Sequence, residues 1–222
     1  MTQQPDVQPA PCGARPPEDV CVALASCAVI LAGAYATDPR SDDAALLRSM
    51  GDLNLVAEWP FGGVDELAAV QELLQVGAQV PVAVASDEYR RLFVGPGHLD
   101  APPWGSVYLD KDQIRFGASE LELRQWMREN GIEAHDDRLG REPMDHVAAM
   151  LSLLGWLARE RPELLETYLG RHLLPWVFRY LDCLEESAQQ PFYQGLAGLT
   201  RLTLAGAAGD LGVTAQRRTL FW

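Results

Sequence analysis

The 222-residue sequence predicts an all-α fold: one globular multi-helix domain of about nine helices, broken by a long irregular loop rich in proline and glycine. Three observations carry this. Apolar residues recur at helical spacing through most of the chain. Prolines fall where first turns begin, the one helical position that tolerates a missing N–H. The strand-like runs, 79–85 and 107–109, are both short.

Residues 1–17 hold five prolines and no apolar period, so a disordered tail is expected there and the helical domain spans 18–222. The run 20–36, VCVALASCAVILAGAYA, is free of charge over seventeen residues. It falls short of the roughly 20 residues that cross a bilayer, and Glu18 and Asp19 upstream are the wrong flank for a secretory signal. It reads as the central core helix, buried on all sides. After a turn at TDPRSD, the spacing of Leu46, Leu47, Met50, Leu53, Leu55 and Val56 predicts an amphipathic helix over 42–59, interrupted at Gly51. A second follows over 64–76, and SDEYRRLFVGP predicts a third with Ser86 as N-cap, ended by Gly95 and Pro96.

Beyond the loop, Ser119 and Glu122 have the spacing of a capping box for a helix that stops at Asn130-Gly131. In EPMDHVAAMLSLLGWLARE the next helix opens at Pro143, with Glu142 and Asp145 complementing its positive end. Pro162, Pro175 and Pro191 open three more. Small residues in GLAGLTRLTLAGAAG predict close helix packing, and Trp156 and Trp176 fall on apolar helices as core residues.

With 18 Lys and Arg against 31 Asp and Glu, the net charge of −13 argues against nucleic acid or an anionic membrane surface as partner and suits a basic peptide. Cys12, Cys21, Cys27 and Cys183 include no C-x-x-C pair, and no histidine stands at zinc-ligand spacing. No metal and no cofactor is expected, and the thiols fit a reducing cytoplasm. Asp145-His146 invites a reading as a small-molecule hydrolase with a distant nucleophile, but adjacent helical residues do not face each other and no G-x-S-x-G elbow is present. No catalytic residue is expected. His98, His135 and His172 are dispersed and read as structural, and GPGHLD lacks the lysine-containing phosphate cradle that nucleotide binding would use.

The stretch from Arg91 to Asp110, RLFVGPGHLDAPPWGSVYLD, fits neither helix nor strand. Pro102 and Pro103 stiffen it, and Trp104 beside Gly105 and Ser106 can present an aromatic ring next to open backbone groups, as peptide docking requires. With equal weight, Trp104 can instead plug the core beneath a long connection.

RLFVGP, APPWGSVYLD, FGAS, LRQWMRENGI, EPMDH, HLLPWVFRYLD, PFYQGLAGLTRLTLA and LFW together resemble the TorD/DmsD/NarJ family of redox-enzyme maturation chaperones, nearest its DmsD branch, over most of residues 20–222. The resemblance implies an all-helical cytoplasmic chaperone, not an enzyme. Its partner would be the twin-arginine signal peptide of a molybdopterin-dependent oxidoreductase catalytic subunit of the DMSO reductase type, whose Tat export waits for cofactor insertion. Tat translocase components are further partners, the assembly is a monomer or a domain-swapped dimer, and weak guanine-nucleotide binding is a side activity of the wider family. Carried onto this chain, the binding residues are Tyr89, Leu92, Phe93, Gly95, Pro96, Trp104, Gly105, Ser106, Tyr108, Glu142, Pro143, Asp145 and His146. The branch often has tryptophan where this chain has Tyr89, Gly97 and Tyr108, and an acid where it has Met144. A leader with a basic part and an apolar part needs carboxylates beside an apolar groove, so Asp145 is expected to meet the first and Leu92, Phe93 and Trp104 the second.

Overall fold

The computed structural model describes residues 16–95, 98–133 and 143–222. Among these every regular element is helical, apart from one isolated bridge between Trp104 and His146. Helix α1, Glu18–Ala36, packs against α8, Val147–Glu160. The approach is close because Gly155 faces it: a Cβ there would lie 3.2 Å from the Ala25 carbonyl oxygen. By length and composition α1 could cross a bilayer, and half of it is buried in this fold. It is not covered on every side as expected. Val22, Ser26 and Val29, spaced to return to one face, form an exposed stripe.

The helix expected over 42–59 is a tight turn at Asp42–Ala44 followed by α2, Ala45–Asp52, and α3, Leu55–Glu58. The break falls just after Gly51, and Asn54 caps α3 by accepting the Ala57 N–H. Next come α4, Val64–Ala78, and α5, Val82–Tyr89, which turn through 114° about Pro81. The strand-like run 79–85 is therefore this bend and the first turn of α5. Ser86 lies inside that helix, not at its cap, and donates its hydroxyl to Asp38 Oδ1 at 2.7 Å. The helix continues through a π-helical stretch, Arg90–Val94, closed where the Gly95 N–H reaches the Arg90 carbonyl.

The other strand-like run lies in a short helix α6, Gly105–Leu109. Helix α7, Ala118–Glu129, is capped from outside, since Asp110 accepts both the Ser119 N–H and hydroxyl. The predicted box of Ser119 and Glu122 does not form, and Glu122 turns instead to Arg218. Helix α8 starts at Val147, four residues later than expected, because His146 is its cap, with Nδ1 accepting the Ala148 N–H at 3.2 Å.

Residues 162–187 form a turn at Pro162–Leu164, a short α9 at Leu165–Thr167, a π-helical stretch at Tyr168–Leu173 and α10 at Leu174–Ser187. Pro175 accounts for the widened turn: it donates no hydrogen bond and its ring would clash with the carbonyl four residues back. The Trp176 indole N–H satisfies the His172 carbonyl at 2.9 Å. Helix α11, Pro191–Asp210, packs on α4 and α10, and at Gly77 an added Cβ would run into the Phe192 backbone. One continuous apolar core joins α1, α4, α8, α10 and α11. Trp176 belongs to it, whereas Trp156 is 37% exposed because position 156 falls on the outer face of α8. Cys21, Cys27 and Cys183 are buried, and Cys12 lies outside the described residues.

Candidate functional site

Helical structure takes both ends of the stretch from Arg91 to Asp110, leaving irregular backbone at 95 and over 98–104 among the described residues. Arg91 anchors its near end. Its guanidinium holds Glu88 through two bonds of 2.8 and 2.9 Å and donates to the Ser187 carbonyl at 2.7 Å, tying α5 to the end of α10. Pro96 and Glu142, both expected at the site, lie outside the described residues, as do Gly97 and His135.

The far end of the loop is fastened to the start of α8. Gly105 N–H donates to the Asp145 carbonyl at 3.0 Å, and Val147 N–H donates to the Pro103 carbonyl at 2.8 Å. Asp145 Oδ2 accepts the Ser106 N–H at 2.6 Å, across 39 residues of sequence. The Trp104 and His146 rings meet edge-on at 5.8 Å. The P-P-W-G-S and P-x-D-H motifs are thus one hydrogen-bonded unit. Glycine is required at 105 because the Trp176 ring lies beneath: a Cβ would sit 2.8 Å from Trp176 Nε1. A short side chain with an acceptor oxygen is required at 145 because its target is a backbone N–H in the first turn of α6.

Burial sets the electrostatics. Asp145 is 4% exposed, and burial pushes its carboxyl up to about 6, opposed by the hydrogen bonding of Ser106 and reinforced by the charge of Glu120. Burial holds His146 down to about 4. The two side chains do not pair with each other, since one turns to Ser106 and the other to Ala148. Asp145 therefore does not present its carboxylate to a basic ligand in this structure, contrary to expectation. Nor does it complement the end of a helix starting at Pro143, which instead lies in the turn before α8 and accepts the His146 N–H.

Tyr89, Leu92, Phe93 and Tyr108 also face inward. Phe93 packs against Tyr35, Tyr89 and Tyr193 at centroid distances of 5.9, 5.2 and 5.5 Å, and Tyr108 stacks on Trp176 at 5.7 Å. Trp104 is mostly packed, with the Arg115 guanidinium carbon 4.9 Å above its ring, and it lines a cleft of about 350 Å³ with Gly95, Pro102, Gln113, Arg115 and Trp222. Behind the clasp lies a cavity of about 10 Å³, the size of one water, lined by Gly105, Asp145, His172 and Arg218 among others.

Sequence reasoning missed several of these groups. Glu120 accepts the Met144 N–H at 3.2 Å and pairs with Arg124, steadying the turn before α8. Gln113, held at a φ of 52°, reaches the Phe221 carbonyl. Neither stands in a recognisable pattern; the Arg217-Arg218 pair beside them was legible as a pair of adjacent arginines. Among the described residues no group of three or more His, Cys, Asp and Glu could hold a metal ion.

The family model described as nitrate reductase delta subunit matches residues 63–182. The chain is similar to the Tat proofreading chaperone DmsD of Salmonella typhimurium, 38% identical over 194 residues that cover 86% of this chain and 92% of that protein. It is similar to the chaperone protein YcdY of Escherichia coli, 30% identical over 161 residues covering 71% and 78%. It is similar to the chaperone protein TorD of Ferrimonas balearica, 31% identical over 155 residues covering 66% and 69%.

Proposed function

We propose, because this chain belongs to the TorD/DmsD/NarJ family of redox-enzyme maturation chaperones, that it is a cytoplasmic chaperone for the twin-arginine signal peptide of a molybdopterin-dependent oxidoreductase, holding back Tat export until the cofactor is inserted. Residues 18–222 act as its one functional domain. The observation that carries the reading is the clasp between the P-P-W-G-S loop and Asp145-His146, found in a chain that aligns with 92% of a Tat proofreading chaperone.

The cleft beside Trp104 offers the Pro102, Trp104 and Trp222 side chains to the leader's apolar stretch, and the acidic chain attracts its basic part. Gly95 and Trp104 line the cleft, and Gly105, Pro143 and, outside the described residues, Pro96 and Glu142 are assigned to leader binding with them. Tyr89, Leu92, Phe93, Ser106 and Tyr108 support it from beneath, and Asp145 and His146 are positioning residues that hold the loop. A hydrolase is disfavoured by the geometry, since Asp145 and His146 are committed to separate backbone N–H groups.

Calorimetry with the leaders of molybdoenzymes from the same cell tests this. An Arg-Arg leader is expected to bind at least tenfold more tightly than its Lys-Lys counterpart, since only arginine offers a bidentate fork. Trp104→Ala is expected to weaken binding by about 1–2 kcal/mol. No binding by any leader, or equal binding of both versions, would overturn the reading.

A further inference from the structure

Past α11 the chain turns at Gly212, φ +65°, and the segment 213–222 runs back across the molecule without helix or strand. It crosses the π-helical turn where the Gln216 N–H donates to the Gly170 carbonyl at 2.7 Å. Arg218 then reaches Glu122 on α7, Nη1 to Oε2, at 3.3 Å. The Phe221 N–H donates to the Tyr108 carbonyl at 2.9 Å, and Gln113 Nε2 donates to the Phe221 carbonyl. The Trp222 and His98 rings meet at a tilt of 35° with centroids 5.1 Å apart, and Trp222 completes the wall of the Trp104 cleft. The end of this segment reads Arg-Arg-Thr-Leu-Phe-Trp: two adjacent arginines, then Thr219 and three apolar side chains.

We infer that this segment is an internal stand-in for a leader, seated on the surface that a leader's arginines and apolar residues occupy, with Glu122 as the carboxylate that reads an arginine. The inference rests on the signal-peptide reading above and assigns its contacts. Charge complementarity supports the occupant: the Glu122 side chain is 42% exposed on a helix beside the clasp, whereas Asp145 is buried behind it. An extended segment that donates its N–H to the Tyr108 carbonyl uses main-chain recognition, which any peptide of the same shape can repeat. The seat is shallow. Leu220 and Phe221 stay 39% and 41% exposed, and a half-exposed ion pair holds little, so the segment can give way to a competing peptide.

Competition between the segment and a leader gives the test. Three proteins are compared by calorimetry: the full chain, a chain ended after Gly212, and the full-length Arg218→Ala/Trp222→Ala variant, which serves if the shortened chain does not fold. An Arg-Arg leader is expected to bind the two altered proteins about tenfold more tightly than the full chain, because a site occupied by its own segment lowers apparent affinity by the fraction left open. The synthetic peptide VTAQRRTLFW is expected to displace the leader from the shortened chain, and Glu122→Gln to weaken both peptides. Equal or weaker leader binding after alteration, with no competition from VTAQRRTLFW, overturns the stand-in and leaves leader binding intact. No leader binding to any of the three proteins overturns both.

Discussion

Gly105→Ala is expected to lower the melting temperature by about 5–15 °C and to weaken leader binding together with it. The backbone at Gly105 is not in a glycine-only conformation; the obstacle is Trp176, whose Nε1 and Cε2 would each lie 2.8 Å from the new methyl group. That ring has nowhere to go. It is 1% exposed, stacked on Tyr108, and held by its N–H to the His172 carbonyl. The loop must lift instead, breaking the bond from Gly105 N–H to the Asp145 carbonyl and the 2.6 Å bond from Ser106 N–H to the Asp145 carboxylate. Steric strain and a buried acceptor left without its donor together cost about 2–4 kcal/mol, and in a domain of this size each kcal/mol moves the midpoint by about 2–4 °C. Gly209→Ala is the control, since nothing lies within 4 Å of an added Cβ there. A Gly105→Ala protein that melts with the control would show that the loop is not clamped over Trp176.

The helical class was legible because apolar spacing repeats through α4, α7, α8, α10 and α11, and a period is a local property. Boundaries were misread where a distant partner decides them. Ser86 resembles a cap in sequence but bonds Asp38, 48 residues away, and Ser119 takes its cap from Asp110 across the loop. The run 79–85 alternates like a strand, yet Pro81 and the packing of α5 turn it into a helix start. At the site, the motifs were legible and the directions of their side chains were not. Spacing cannot reveal that Phe93 enters a cluster with Tyr35 and Tyr193, or that the loop folds over Asp145 and buries it. Arg218 and Glu122 are 96 residues apart, and only the fold shows what they share.

Acidification from pH 7 to pH 4 is expected to remove about 3–4 kcal/mol of stability, with the buried histidines as the main cause. Burial lowers His146 from its ordinary 6.5 to about 4, and burial together with Arg171 and Arg218 does the same to His172. Each therefore contributes stability that is full above pH 6.5 and lost as pH falls toward 4, because the unfolded chain takes up the proton first; each amounts to about 3 kcal/mol. Asp145 works in the opposite sense. Raised from 3.8 to about 6, it binds a proton in the folded state first, so its contribution is full below pH 3.8 and lost as pH rises through 6, offsetting about 3 kcal/mol of the histidine effect. Burial raises Glu88, but hydrogen bonds from Arg91 and Gln189 outweigh it and hold the carboxyl low, which adds a further loss at the acid end. Urea midpoints at unit steps from pH 4 to pH 8 separate these parts. His146→Asn keeps an acceptor for the Ala148 N–H and should cut the acid loss by about 3 kcal/mol, leaving little net pH dependence in this window. Asp145→Asn keeps an acceptor for the Ser106 N–H and should do the reverse, matching or exceeding wild-type stability at pH 8 while the loss toward pH 4 grows to about 6 kcal/mol. Parallel profiles for all three proteins would mean that neither group changes its proton affinity on folding, and that the clasp is open to solvent.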